Sequence, residues 1–111
     1  MLFVSIEDFY RQAKEKTRMT REEEIACAKE MQSEDSLIRA AAKQRLVDSY
    51  TPMIAAHIKR MRELESFSLA IYCMQALEKA VERFNFLQES ETFTHRLNWW
   101  LRQATTAYIV R

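Results

Sequence analysis

Phe67-Ser68-Leu69-Ala70-Ile71-Tyr72-Cys73-Met74-Gln75-Ala76-Leu77-Glu78-Lys79-Ala80-Val81-Glu82-Arg83-Phe84 decides the fold. Phe67, Ala70, Ile71, Met74, Leu77, Val81 and Phe84 recur at steps of three and four, which places them on one side of an α-helix. Ser66 or Ser68 supplies the oxygen that caps its first turn. A polar loop from Asn85 to Thr92 follows. Thr92 or Thr94 then opens a last helix that continues to the C-terminal end.

Upstream, the same logic repeats. Ser5-Ile6-Glu7-Asp8 reads as a helix start, with Ser5 capping and Asp8 at the reciprocal position of a capping box. Ile6, Phe9, Tyr10 and Ala13 then give a helix of about three turns. Thr20-Arg21-Glu22-Glu23 is a second capping box, and Ile25, Ala28 and Met31 form its apolar stripe. After the polar break from Gln32 to Ser36, a third helical stretch begins near Leu37. Its inward residues are expected to be Leu37, Ile38, Ala41, Leu46 and Val47. Pro52 interrupts it, and a kinked continuation through Met53, Ile54, His57, Ile58 and Met61 is expected. Lys59, Arg60 and Arg62 point elsewhere, as a solvated basic face.

Composition supports the same class. The 111 residues include no glycine and one proline. Sheet proteins draw on glycine for tight turns, so the expected fold is all-α, a compact helical bundle in one domain. Lys and Arg number 17 against 16 Asp and Glu. So even a balance gives no global attraction for nucleic acid, and any electrostatic case must be local. Cys27, Cys73, His57 and His95 match no zinc spacing. Both cysteines read as reduced and buried, and His57 as a core residue. The apolar start, Met1 to Val4, meets Glu7 and Asp8 at once, so it is no signal peptide. No apolar run reaches membrane-spanning length. A cytoplasmic protein without membrane contact is expected. Nothing suggests a phosphate-binding loop, a cofactor or a catalytic constellation, so no enzyme activity is expected.

The last helix carries the functional signal. Leu97, Trp100, Leu101, Ala104 and Tyr108 share a face suited to burial. Trp99, Gln103 and Thr106 lie at i, i+4 and i+7 on a different face. An indole can stack on a base or wedge into a duplex step. Glutamine offers a paired donor and acceptor to a base edge, and Arg102 can hold a phosphate.

Trp99-Trp100-Leu101-Arg102-Gln103-Ala104-Thr105-Thr106 closely resembles the Trp-Trp-Ile-Arg-Gln-Ala-Ile-Thr signature of bacterial sigma-70 family sigma factors. Lys79-Ala80-Val81-Glu82-Arg83-Phe84-Asn85-Phe86 is similar to that family's Lys-Ala-Val-Asp-Lys-Phe-Asp-Tyr. Thr20-Arg21-Glu22-Glu23-Glu24-Ile25 resembles its Thr-x-Glu-Glu-Glu-Ile, and Ala42 to Lys59 follows another stretch loosely. The likeness is to sigma domain 2, with residues 1–36 matching its N-terminal helices (region 1.2) and 37–111 matching region 2.

The resemblance implies a helical bundle that binds the β′ subunit of the RNA polymerase core and reads the minus-ten element of promoter DNA. By matched position, Trp99 and Trp100 edge the melted bubble, Gln103 and Thr106 read the first base pair, and Arg102 lies near the DNA backbone. Phe93 and Arg96 fall in the base-capture segment, where Arg96 replaces a tyrosine. Ser68, Leu69, Ile71 and Tyr72 fall in the polymerase-binding helix, where the family's Asp-Leu-Ile-Gln-Glu-Gly is replaced by Ser68-Leu69-Ala70-Ile71-Tyr72-Cys73. Gln88, Glu89, Ser90 and Glu91 replace a basic turn. The resemblance stops at Arg111, short of the domain that reads the minus-thirty-five element. Either the chain is a fragment, or it is a small protein working with a second sigma-like polypeptide. An alternative reading is a sigma-like interaction module or co-regulator that binds polymerase or a partner sigma factor without reading DNA.

Overall fold

A computed structural model of the chain describes residues 3–87 and 92–111. Among the described residues five helices follow in order: α1 (Ile6–Lys14), α2 (Arg21–Glu30), α3 (Ser36–Arg60), α4 (Phe67–Arg83) and α5 (Phe93–Val110). A single 3-10 turn, Arg62–Leu64, separates α3 from α4. Among the described residues there is no strand. The fold is an all-α bundle.

Side-chain caps set the helix starts. Thr20 Oγ1 accepts from the Glu23 amide at 3.1 Å, and the Thr20 amide donates to Glu23 Oε1 at 3.0 Å, completing the box. Ser66 and Thr92, rather than Ser68 and Thr94, cap α4 and α5. At α1, Ser5 accepts from the Asp8 amide as expected, but the Asp8 carboxylate reaches back to the Val4 amide, one residue before the cap. Asp35 caps α3 through the amides of Leu37 and Ile38.

One contiguous core joins all five helices. The most extensive contact is α4 against α5, followed by α3 against α4, with α1 and α2 both lying on α3. The buried side of α4 includes Leu69, Ala70, Cys73, Leu77, Ala80 and Val81. Of the expected stripe, Ala70, Met74, Leu77, Val81 and Phe84 are buried, while Ile71 is exposed and Phe67 half-buried. On α2 the inward residues are Glu24, Cys27 and Ala28, with Ile25 and Met31 half-buried.

The start of α3 also corrects the sequence expectation. Leu37 is 80% exposed, and Ile38 and Ala41 are exposed as well. Every residue from Glu34 to Ala41 lies at the surface, and core contact begins only at Ala42. Among the described residues no second layer covers this first part of the helix, so its apolar side chains stay at the surface.

Further along, α3 continues through Pro52 as one element. Proline has no amide to offer the carbonyl one turn back. Around it, the Ser49 hydroxyl donates to Leu46 O at 2.8 Å and the Thr51 hydroxyl to Val47 O at 2.9 Å. At the far end, Arg62 takes φ +43°, a left-handed position usually given to glycine after a helix. The chain has no glycine, so an arginine carries a strain of about 1 kcal/mol there. We expect Thr20→Ala to lower stability by about 1 kcal/mol, because the Glu23 amide in the first turn of α2 loses its side-chain acceptor. Urea denaturation measures the change.

Candidate nucleic-acid interface

The site is set by how α5 sits. Leu97, Leu101, Ala104 and Tyr108 are buried against the core, and Trp100 is half-buried beside them. A helix turns about 100° per residue, so this seating carries Trp99, Arg102, Gln103 and Thr106 to the outer side. All four are exposed, Trp99 by 47%. Trp99 and Trp100 meet edge to face, with ring centroids 5.3 Å apart.

The two indoles form part of a surface concavity of about 530 Å³ lined by Arg83, His95, Arg96, Trp99 and Trp100. Arg83 enters from the end of α4, and its guanidinium carbon lies 5.4 Å from the centre of the Trp100 ring. That distance is within the range of a cation–π contact. The cleft therefore combines an exposed aromatic plane with two guanidinium groups. Such a lining can stack on a flat ring and hold an anion next to it.

Arg83 and His95 are not among the DNA-contact residues that the sequence resemblance implies. His95 lies within α5, but Arg83 comes from another helix and reaches the cleft only through the packing of α4 on α5. Its place in the Lys79–Phe86 motif was the available signal.

Two expected contact residues lie elsewhere. Phe93 is buried, with its ring centroid 4.7 Å from that of Tyr50, 5.3 Å from Phe84 and 5.0 Å from Phe86. It anchors the first turn of α5 and presents no face to a ligand. Leu69 is fully buried on the inner side of α4 and presents no side chain to a partner. Of the remaining docking candidates, Ser68 and Ile71 are exposed, and half-buried Tyr72 packs edge to face on Tyr108 at 5.6 Å. These residues lie near the start of α4, whereas Arg83 ends it. At 1.5 Å per residue, Ile71 and Arg83 are about 18 Å apart along the axis. Gln88 to Glu91 lie outside the described residues.

Polar ties fix the first turn of α5. Arg18, between α1 and α2, donates to Thr94 Oγ1 at 3.2 Å and to the Tyr50 hydroxyl at 3.4 Å, with its guanidinium 4.5 Å from the Tyr50 ring centre. The Tyr50 hydroxyl donates to the buried Glu24 carboxylate. Burial, with that carboxylate beside it, pushes the Tyr50 phenol up to about 12. Arg21 donates to Phe86 O at 3.2 Å. Arg18 and Arg21 thereby tie the N-terminal segment to Thr94, at the start of α5, and to Phe86, just beyond α4.

Other sequence candidates lie outside the cleft. His57 is 9% exposed, and its Nε2 lies 3.1 Å from Thr105 Oγ1. Cys27 and Cys73 are free thiols in the core. Burial raises both, Cys73 to about 11, away from the reactive thiolate form. Lys59, Arg60 and Arg62 are exposed, with the Lys59 ammonium 4.7 Å from the centre of the Tyr10 ring. Among the described residues, no group of three or more His, Cys, Asp or Glu could hold a metal. No described helix is long and apolar enough to cross a membrane.

Comparisons with protein-family models, with curated proteins and with solved structures give no match for this chain.

The contrast between Phe93 and Trp99 is measurable. Phe93→Ala should cost about 3–5 kcal/mol, the range for emptying an aromatic site in a core. Trp99→Ala should cost about 1 kcal/mol, since much of that indole already meets water. Urea midpoints of the two variants give the comparison.

Proposed function

We propose that this chain is a sigma-factor-like module of transcription initiation that binds RNA polymerase and engages the promoter minus-ten element through the outer face of α5. The observation that carries the reading is the exposed Trp99 indole, set in a concavity with Arg83, His95, Arg96 and Trp100. The sequence resemblance across the Trp99–Thr106 segment supports the same assignment.

In this reading, Trp99 stacks on a base at the edge of the melted segment while half-buried Trp100 braces it. Gln103 and Thr106 meet base edges, glutamine through its paired donor and acceptor and threonine through its hydroxyl and methyl. Arg102, Arg96 and Arg83 neutralise phosphates; this local charge matters because the whole chain carries only +1. Ser68, Ile71 and Tyr72 form the polymerase-facing surface, about 18 Å away along α4. One helix can then touch polymerase near its start while its end borders the nucleic acid. The activity is binding and strand separation, with no covalent step.

A fluorescence anisotropy titration with a labelled forked or single-stranded minus-ten oligonucleotide tests this. Stacking on an aromatic side chain contributes about 1–3 kcal/mol per base. Trp99→Ala should therefore weaken binding by about 5-fold to 150-fold, and Gln103→Ala should reduce discrimination against altered minus-ten sequences. A wild-type chain that shows no oligonucleotide binding at low salt contradicts the proposal. If it still co-purified with polymerase, the co-regulator reading would replace it.

A further inference from the structure

We propose that the cleft between the end of α4 and the first half of α5 takes a free purine nucleoside monophosphate, which competes with a nucleic-acid strand for Trp99. The ligand site stands on the geometry of the cleft alone; only the competition rests on the proposed function.

Unequal reach of two helices makes the cleft. Tyr72 meets Tyr108 and Arg83 meets Trp100, so α4 and α5 run antiparallel. Arg83 is the last residue of α4, and the first turns of α5 therefore project past it. On that projecting part, His95, Arg96, Trp99 and Trp100 stand at i, i+1, i+4 and i+5, two adjoining rows on one side. With Arg83 they line about 530 Å³, inside the range of about 300–1,000 Å³ usual for small-molecule sites. Arg102, Gln103 and Thr106, the proposed strand contacts further along, are not part of this lining. Only Trp99 is central to both.

The lining selects a flat ring joined to an anion. The two indoles stand 88° apart, which makes an aromatic corner. Arg83 lies over one of them, Trp100, while Trp99 keeps 47% of its surface exposed. A purine, a fused bicycle like indole, can stack on that ring. Exposed Arg83 and half-buried Arg96 bring two permanent positive charges, and exposed His95 adds a third polar group. Among the described residues the lining contains no carboxylate. For a chain of net charge +1, this is a local concentration of positive charge. A phosphate monoester carries about 1.5 to 2 negative charges near neutral pH, and guanidinium forks suit its oxygens. A phosphodiester inside a strand carries only one. A nucleoside monophosphate therefore uses both halves of the lining, whereas a nucleoside lacks the anion and a sugar phosphate lacks the ring.

NMR of the two indole N–H signals, assigned with Trp100→Phe, tests this in a titration with AMP at constant ionic strength. Saturable shifts of both signals are expected, with adenosine and ribose 5-phosphate each binding at least about tenfold more weakly. Arg83→Gln should weaken AMP binding by about tenfold and leave adenosine binding unchanged. General loss of structure would lower both. Lys59→Gln, outside the cleft, should bind AMP as the wild type does. Absence of a saturable shift with AMP, or equal losses in Arg83→Gln and Lys59→Gln, overturns the proposal. Tighter binding of a 5′-phosphorylated dinucleotide than of AMP also overturns it, in favour of strand ends. In an anisotropy assay, saturating AMP should displace a labelled minus-ten oligonucleotide; undiminished oligonucleotide binding contradicts the competition. A chain that binds AMP but no oligonucleotide refutes the promoter reading and leaves the cleft assignment standing. The reverse result refutes the cleft assignment alone.

Discussion

Burial of Leu97, Leu101, Ala104 and Tyr108 along one side of α5 governs everything the molecule presents to its surroundings. These side chains rest mainly on α4, whose own inner residues include Leu69, Cys73, Leu77 and Val81. Once they are seated, helical geometry leaves Trp99, Arg102, Gln103 and Thr106 no place but the outside. The same docking brings Arg83 of α4 beside Trp100 and so makes a cleft rather than a flat face. A slip of α5 by one residue would turn the outer set by about 100° and dismantle that arrangement. Core packing and the candidate interface are therefore one feature seen from two sides.

The N-terminal helices stabilise this feature from a distance. Arg18 and Arg21 reach across to Thr94 and Phe86 O, while Tyr50 ties the buried Glu24 to the ring of Phe93. Arg18 and Arg21 are exposed, but Tyr50 and Glu24 are buried, and buried polar groups are costly unless each has a partner. Among the described residues, no buried side-chain nitrogen or oxygen lacks one. The network thus specifies how α2, α3 and α5 meet, where an apolar contact alone would tolerate sliding.

Sequence reading succeeded where the cause is local. The Thr20 box and the inner stripe of α5 follow from chemistry within one or two turns, whereas the caps of α4 and α5 were each legible only as one of two residues, Ser66 or Ser68 and Thr92 or Thr94. It failed where the cause is tertiary. Leu37, Ile38 and Ala41 have helical spacing, but periodicity cannot say whether a neighbouring layer covers a given turn. Phe93 and Leu69 were expected at surfaces because matched positions suggested contacts; packing places both inside. Arg83 joins the cleft only through the docking of α4 on α5, and no spacing along the chain encodes that. The outward set on α5 was legible for the opposite reason, since a single helix determines it.

The central claim, that the outer indole is available to nucleotides while its neighbour belongs to the core, has a direct optical test. In Trp100→Phe, tryptophan emission comes from Trp99 alone. The account predicts a solvent-exposed emission that a single-stranded minus-ten oligonucleotide quenches saturably, as a base stacks on the ring. Emission characteristic of a buried indole, or no quenching at saturating oligonucleotide, would contradict it.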